Sequence, residues 1–354
     1  MKTILHIIDS LGRGGAEILL VDYIQSLNDY KHIIVHLQPT NVFEEELANF
    51  QVICLNHRKK KRKNSIIKLK ELISKHKVAI VHAHLLEAQI VAKRATPKNV
   101  DLVITIHNEV SDVFRRHLSK WLWNRFMYNK HQTLIYVSEN AKKDYTKWIN
   151  VKGKSYVLYN FIKNVYFEEK FRKNSYTSGN ETFKMVVVGN LKKQKNHQFL
   201  LEALKNTNRD FELDIFGGGH LESSLEKFIK ENDLGDKVRL MGVHENMHEK
   251  LKNYDLFVLA SYKEGFGLAV VESMAIGLPC LLSDIKTLRE VTGNHYQYFD
   301  LENESDFINK LHFCMENPDI LKKQSNLARS FAENYAQRKQ YVKKLRSIYE
   351  NLNQ

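Results

Sequence analysis

The chain has 354 residues, 43% hydrophobic and 27% charged, which excludes disordered and fibrous classes and, at roughly 150 residues per domain, favours two domains. Its 4 Pro and 15 Gly are too few for a turn-dense β sandwich. The net charge of +13 lies wholly in the first half, where residues 1–165 hold 27 basic against 14 acidic side chains while residues 166–354 hold 27 of each, so a surface that seeks polyanions belongs to the first half.

No apolar stretch approaches the roughly 18 residues that span a bilayer. The N-terminal run from Ile4 to Ile8 ends at Asp9, too short for a secretory signal, and a cytoplasmic location is expected. Cys54, Cys280 and Cys314 are odd in number and lack metal-ligand spacing, so they read as reduced thiols.

In chain order, short β-branched runs alternate with helical periodicity, the pattern of parallel sheets covered by helices. The first-half strands are predicted at 3–8, 32–37, 52–55, 79–82, 102–105 and 133–137. One helical face carries Ala16, Leu19, Leu20, Tyr23, Ile24 and Leu27, another Ile66, Leu69, Leu72 and Ile73, and Ser138 with Glu139 reads as an N-cap with an acidic first turn. Residues 162–181 read as a linker. A second alternation follows, with strands at 183–188, 211–216, 238–241, 256–259 and 280–283. Residues 322–352 read as nearly continuous helix docking back on the first domain. The expected architecture is two open α/β units facing each other across a cleft, with chemistry at the carboxyl ends of the strands.

Three loops after predicted strands carry glycines. Gly12, Gly14 and Gly15 follow the first strand, Gly189 and Asn190 precede Lys192, Lys193 and Lys195, and Gly217, Gly218 and Gly219 end another strand. Glycine lets a backbone approach a ligand, and a helix N-terminus attracts phosphate, although each such loop alone also occurs as ordinary turn chemistry. Taken together, the strand ends and lysines suit a diphosphate held without a metal. The densest stretch runs from Ala260 to Pro279. There Glu264 closes a loop, Gly265, Phe266, Gly267 and Leu268 turn into a helix, and Glu272 follows. One carboxylate can accept sugar hydroxyls and the other a ribose diol, with helix amides facing phosphate between them.

Arg58, Lys59, Lys60, Lys61, Arg62 and Lys63 form an unbroken basic run, which reads equally as a solvated loop or as part of a surface for an anionic membrane and the acceptor. Residues 112–130 mix Arg115, Arg116, Lys120, Arg125 and Lys130 with Phe114, Trp121, Trp123, Phe126 and Tyr128, a composition suited to an anionic membrane surface. Of the 16 histidines, His82 and His84 end one strand, but no third ligand is visible and a metal is not expected.

These motifs, in this order, resemble family 4 of the retaining glycosyltransferases, "glycosyl transferases group 1": Gly14-Gly15-Ala16-Glu17, Val81-His82-Ala83-His84, Thr105-Ile106-His107-Asn108, Val137-Ser138, Val157-Leu158-Tyr159-Asn160, Val188-Gly189, Lys195-Asn196, and Glu264 with Glu272. The resemblance implies the GT-B fold of two facing Rossmann-like domains, 1–165 for the acceptor, with a helix at about 336–354 packing back on it, and 166–335 for the nucleotide sugar. It implies transfer of a sugar from a UDP-sugar to a lipid-linked saccharide in capsule, exopolysaccharide or O-antigen synthesis, by an enzyme peripherally attached to the inner face of a bacterial membrane and needing no metal or other cofactor. Glu272 would bind the ribose, Glu264 the donor sugar, and the amides of Gly267 and Leu268 the phosphates. Lys195 would neutralise the leaving diphosphate, and His107 would lie beside donor sugar and acceptor. Two positions depart from the pattern. Asn190 stands where relatives usually carry Arg, leaving Arg13, Lys192 or Lys193 to assist Lys195, and Asn160-Phe161-Ile162-Lys163 replaces a hinge with glycine and an acid. The alternatives are a nucleotide-sugar epimerase of the same fold and a non-catalytic polyanion-binding module. Nucleic acid as the partner lacks a reading motif.

Overall fold

A computed structural model of the chain describes residues 1–57, 62–128, 131–168 and 182–352. It divides into two units, residues 1–161 with 338–354, and residues 162–337.

Unit 1 is built on seven strands, β1 (Lys2–Ile8), β2 (Tyr30–His36), β3 (Gln51–Cys54), β4 (Ile80–His84), β5 (Asp101–Ile106), β6 (Gln132–Tyr136) and β7 (Ser155–Val157). They lie in the order β3-β2-β1-β4-β5-β6-β7, every pair parallel. Helices α1 (Gly15–Ile24), α2 (Arg62–Lys75), α3 (Leu86–Ala95), α4 (Ser111–Arg116), α5 (Leu118–Met127) and α6 (Glu139–Thr146) make the crossovers. Helices cover both faces, so β1, β4 and β6 are buried along nearly their whole length rather than at alternate residues. Ser138 caps α6 by accepting the Ala141 amide at 3.0 Å.

Unit 2 begins with the short α7 (Val165–Glu168) and repeats the plan with six parallel strands. These are β8 (Phe183–Val188), β9 (Phe211–Phe216), β10 (Val238–Gly242), β11 (Leu256–Leu259), β12 (Cys280–Ser283) and β13 (Gln297–Phe299), in the order β10-β9-β8-β11-β12-β13. Its later helices are α8 (His197–Leu204), α9 (Glu222–Glu231), α10 (Met247–Leu251), α11 (Leu268–Ile276), α12 (Lys286–Thr292), α13 (Glu304–Glu316) and α14 (Pro318–Tyr335). Both units are doubly wound, and in each the strand order reverses beside the first strand, between β1 and β4 and between β8 and β11. Crevices for ligands open at such reversals, outside the carboxyl ends of the strands.

The C-terminal helical stretch is two helices, not one. α14 buries Leu321, Ser325, Ala328 and Ala332 in unit 2, whereas α15 (Arg338–Glu350) buries Tyr341, Val342, Leu345, Ile348 and Tyr349 in the core of unit 1. The break at Ala336 and Gln337 is where the chain changes unit. Its outward crossing lies alongside, since the Ile162 amide donates to the Ala336 carbonyl at 3.2 Å. The boundaries thus fall after Phe161 and after Gln337, a few residues from the expected 165 and 335.

No helix among the described residues is long and apolar enough to cross a membrane.

Candidate active site

In unit 2 the loops leaving β8 and β11 meet. A short 3-10 turn at Lys193–Lys195 is fastened to the β11 loop twice. The Tyr262 amide donates to the Gln194 carbonyl at 3.0 Å, and Gln194 Nε2 donates to the Lys263 carbonyl at 2.8 Å. This brings Lys195 Nζ to 2.7 Å from Glu264 Oε1. The same oxygen accepts the Ser261 hydroxyl at 2.6 Å, and Ser283 Oγ, at the end of β12, donates to the Ser261 carbonyl at 2.7 Å. Glu264 is buried, and a buried carboxylate is tolerable because a cation and a hydroxyl share its charge. The stem of Lys195 runs across Gly189, where an added Cβ would stand 3.2 Å from Lys195 Cε. Gly189 therefore makes room for the lysine.

Gly217 and Gly219 have another reason to be glycine. A Cβ at Gly217, whose φ is +145°, would fall 2.1 Å from the Gly189 carbonyl oxygen, and one at Gly219 would fall 2.4 Å from that of Leu191. The two strand ends are laced together, with the Gly189 amide donating to the Phe216 carbonyl at 2.9 Å and that of Leu191 to Gly218 at 3.0 Å. Gly217→Ala is expected to destabilise the protein by about 2 kcal/mol through backbone overlap and an unfavourable φ. An unchanged urea midpoint would sink this reading.

Gly267, at φ +84°, is the left-handed N-cap of α11, a conformation favouring glycine. The first amides of a helix lack intrahelical partners; in α11 the Val270 amide already donates to the Gly267 carbonyl at 3.0 Å, which leaves those of Leu268 and Ala269, a few residues beyond Glu264. One and a half turns on, Glu272 receives the hydroxyl of Tyr166 from α7. Burial pushes the Glu272 carboxyl up to about 7, opposed by that hydrogen bond and by Lys163 nearby. At Asn190 the backbone carbonyl accepts from His197 Nε2 at 3.3 Å. Lys192, Lys193 and Arg13 are exposed.

In unit 1, Gly14 is the N-cap of α1. The carboxylate of Glu17 folds over it, with Oε2 2.4 Å from where a Cβ would stand, so Gly14 accommodates the helix's own acid. The α3 amide of Ala88 donates to Asp9 at 2.7 Å, joining the loops after β1 and β4. His107, just beyond β5, is bonded at Nε2 to His84 Nδ1 at 3.1 Å. Burial lowers its pKa to about 4, so the ring is neutral. Contrary to expectation a third histidine does stand with His82 and His84. It is His6, and the ring nitrogens of the three approach within 4.8 Å. All six nitrogens already have hydrogen-bond partners, so a metal would have to displace a complete network.

The model of the "Glycosyl transferases group 1" family matches residues 168–337, and that of "Glycosyltransferase Family 4" matches residues 13–164. The chain belongs to the group 1 glycosyltransferases. It is 23% identical over 332 residues to an uncharacterised glycosyltransferase of Methanocaldococcus jannaschii, covering 92% of this chain and 87% of the relative. It is 29% identical over 294 residues to the UDP-Gal:α-D-GlcNAc-diphosphoundecaprenol α-1,3-galactosyltransferase of Escherichia coli, covering 77% and 76%. Among solved structures, the Anabaena protein HepE in complex with UDP-glucose superposes with a TM-score of 0.85 at 17% identity, over 99% of this chain and 100% of that one. The fold is thus GT-B.

In this glycosyltransferase the basic and aromatic segment divides. Arg58, Lys59, Lys60 and Lys61 lie outside the described residues. Lys63 is exposed, but Arg62 is committed to Glu87 at 2.9 Å. Arg116 and Lys120 fall on α4 and α5, and Arg115 and Arg125 are exposed. Trp121 is turned inward, its indole N–H donating to the Trp148 carbonyl at 3.1 Å, and Phe114 is buried. Among the described side chains of this segment, Leu118, Leu122 and Phe126 face outward, 62%, 37% and 80% exposed. Their spacing of four residues makes one stripe along α5. Sequence reasoning did not single out Gln194, Ser261, Ser283 or Tyr166. The first three are polar residues beside the motif residues, and nothing in the sequence links Tyr166 to Glu272.

Proposed function

We propose that this glycosyltransferase moves a sugar from a UDP-sugar to a hydroxyl of a lipid-linked saccharide, with retention at the anomeric carbon and without a metal, at the inner face of a cell membrane. The observation that carries the reading is the constellation at the β8 and β11 strand ends. There Lys195, Glu264 and the N-terminus of α11 are juxtaposed, with Glu272 farther along the same helix. A nucleoside diphosphate sugar offers matching groups in the same sequence: ribose diol, diphosphate and sugar hydroxyls. The named activity of the Escherichia coli relative and the UDP-glucose complex of the Anabaena neighbour support the choice of donor and acceptor.

As the glycosidic bond to phosphate breaks, negative charge grows on the diphosphate. Lys195 and the α11 amides stabilise it without reorganising, which makes them the principal catalytic groups. Glu264 accepts hydroxyls of the donor sugar and orients its anomeric carbon. Approach of the acceptor from the face that the leaving group departs lets the phosphate oxygen take the acceptor proton, giving retention without a protein nucleophile. In unit 1 we assign contact with sugar hydroxyls to His107.

Calorimetric titration with UDP, GDP and ADP in EDTA tests the donor half of this reading. UDP is expected to bind, and the heat to vanish in Glu272→Ala. Binding only on addition of a divalent metal would overturn the metal-free part.

The α5 stripe, flanked by Arg115 and Arg125, supports membrane attachment. Each basic group near anionic lipid contributes about 1 kcal/mol, and a phenylalanine inserted at the interface adds a term of similar or larger size. Leu118→Glu with Phe126→Glu is expected to lower sedimentation with phosphatidylserine-containing vesicles by at least about tenfold. Equal sedimentation would remove α5 from the attachment surface.

A further inference from the structure

Parallel register sets Ile4 against His32, His6 against His82, and His84 against Thr105. Because side chains alternate along a strand, His6, His32, His82, His84 and Thr105 share one face of the unit 1 sheet. It is the face covered by α1, with Tyr23, and by α15, with Tyr349. A stripe of imidazoles in an otherwise apolar layer must satisfy itself by hydrogen bonding.

It does so with a definite direction. The Leu27 carbonyl oxygen can only accept, so the 2.9 Å contact to His32 Nε2 places a proton on that nitrogen. In a neutral ring His32 Nδ1 is then an acceptor, and His6 Nε2, 2.9 Å away, donates to it. His6 Nδ1 becomes an acceptor in turn, served by the Tyr23 hydroxyl at 3.3 Å. Having given its proton there, Tyr23 accepts from His84 Nε2 at 3.2 Å. His84 Nδ1 is thus bare, and His107 Nε2 donates to it at 3.1 Å. Every link is oriented by the one before it.

We propose that this buried chain, Leu27 O to His32, His6, Tyr23, His84 and His107, fixes His107 as the Nε2–H tautomer and so presents its Nδ1 as a hydrogen-bond acceptor for a sugar hydroxyl. The use made of Nδ1 rests on the transferase reading; the tautomer does not. His32, His6, Tyr23 and His84 act as positioning residues. Burial supports the neutral assignment, since it drives His6 and His84 well below the ordinary histidine value and lowers His32. The chain makes a prediction that packing alone does not: groups as remote as His32 decide which nitrogen of His107 is bare. His82, held between the hydroxyls of Tyr349 at 2.6 Å and Thr105 at 2.7 Å, is a side branch.

Histidine-labelled protein read by long-range proton–nitrogen correlation NMR reports the tautomer directly. In the wild type His107 is expected to carry its proton on Nε2. An Nδ1–H ring would overturn the proposal without touching the transferase reading. Tyr23→Phe is expected to convert His107 to a tautomer mixture and to lower kcat about tenfold with donor KM unchanged. Thr105→Val, which removes an equally buried hydroxyl off the chain, is expected to leave the tautomer as in the wild type. If both variants shift it alike, or neither does, the chain does not set it. Failure of Tyr23→Phe to fold leaves the wild-type spectrum as the deciding measurement. A wild-type Nε2–H ring with no transfer activity would condemn the proposed reaction while the tautomer assignment stood.

Discussion

Lys195→Ala is expected to lower kcat with a UDP-sugar donor by about 100- to 1,000-fold, the range for removing one preorganised group that meets developing negative charge. The effect should fall on kcat more than on KM, because the diphosphate carries more charge as the bond breaks than in the bound donor. Asn190 sharpens the expectation. Where the resemblance leads one to expect an arginine after the glycine, this chain has a neutral amide, and Lys192 and Lys193 are exposed. Lys195 is held at the strand ends by Gln194 and by the room that Gly189 leaves. The same variant strips Glu264 of its cation, leaving Ser261 as a partner, and a buried carboxylate left without its cation costs up to about 3–5 kcal/mol. Stability must therefore be read beside rate. Lys195→Arg keeps the charge and is expected to retain the fold and part of the turnover. If Lys195→Ala at matched folded fraction turns over like the wild type, Lys195 is a structural partner of Glu264 and no more.

The loops that carry this chemistry were legible because they break composition rules locally. Glycine is scarce in the chain, and where it clusters after an apolar run it marks a strand end. What each glycine does was not legible. The sequence reads Gly217 and Gly219 as phosphate contacts, and it does not show that their missing Cβ atoms are also required by the carbonyls of Gly189 and Leu191, a relation set by the pairing of β8 with β9. Register hid the histidine chain in the same way. His82 and His84 declare a shared face by spacing, but placing His6 and His32 on it needs the alignment of β1 with β2 and β4. The segment after Ile162 read as linker because lysine, asparagine and serine dominate it, although Tyr166 within it reaches Glu272 more than a hundred residues later. The three-residue strands β7 and β13 were too short to show periodicity. The split of the last helix lacks a glycine or proline, and is imposed by which unit each half packs on.

Glu272→Gln is expected to weaken nucleotide binding and to stabilise the unliganded protein at once. The carboxyl ionises near pH 7 in the folded chain against 4.5 for its ordinary value, so the folded state holds its proton longer than the unfolded one. Stability from this group is then lost as pH rises from about 4.5 to 7 and stays lost above, a penalty on the order of 2 kcal/mol once solvent access is allowed for. Glutamine keeps the shape and can still accept from Tyr166 but never ionises, so the variant should melt higher than the wild type at about pH 8 and match it at about pH 4. Binding moves the other way. A ribose diol donates two hydroxyls to a carboxylate, and replacing charge-assisted bonds by neutral ones costs about 1 kcal/mol or more, at least a several-fold loss in affinity. The wild type should also bind a sugar nucleotide, whose diphosphate is esterified at both ends and does not titrate near neutrality, progressively more weakly as pH falls below about 7. Affinity flat across that range, or a glutamine variant no more stable than wild type at about pH 8, would mean that the Glu272 carboxylate neither sits desolvated in the free protein nor receives the ribose.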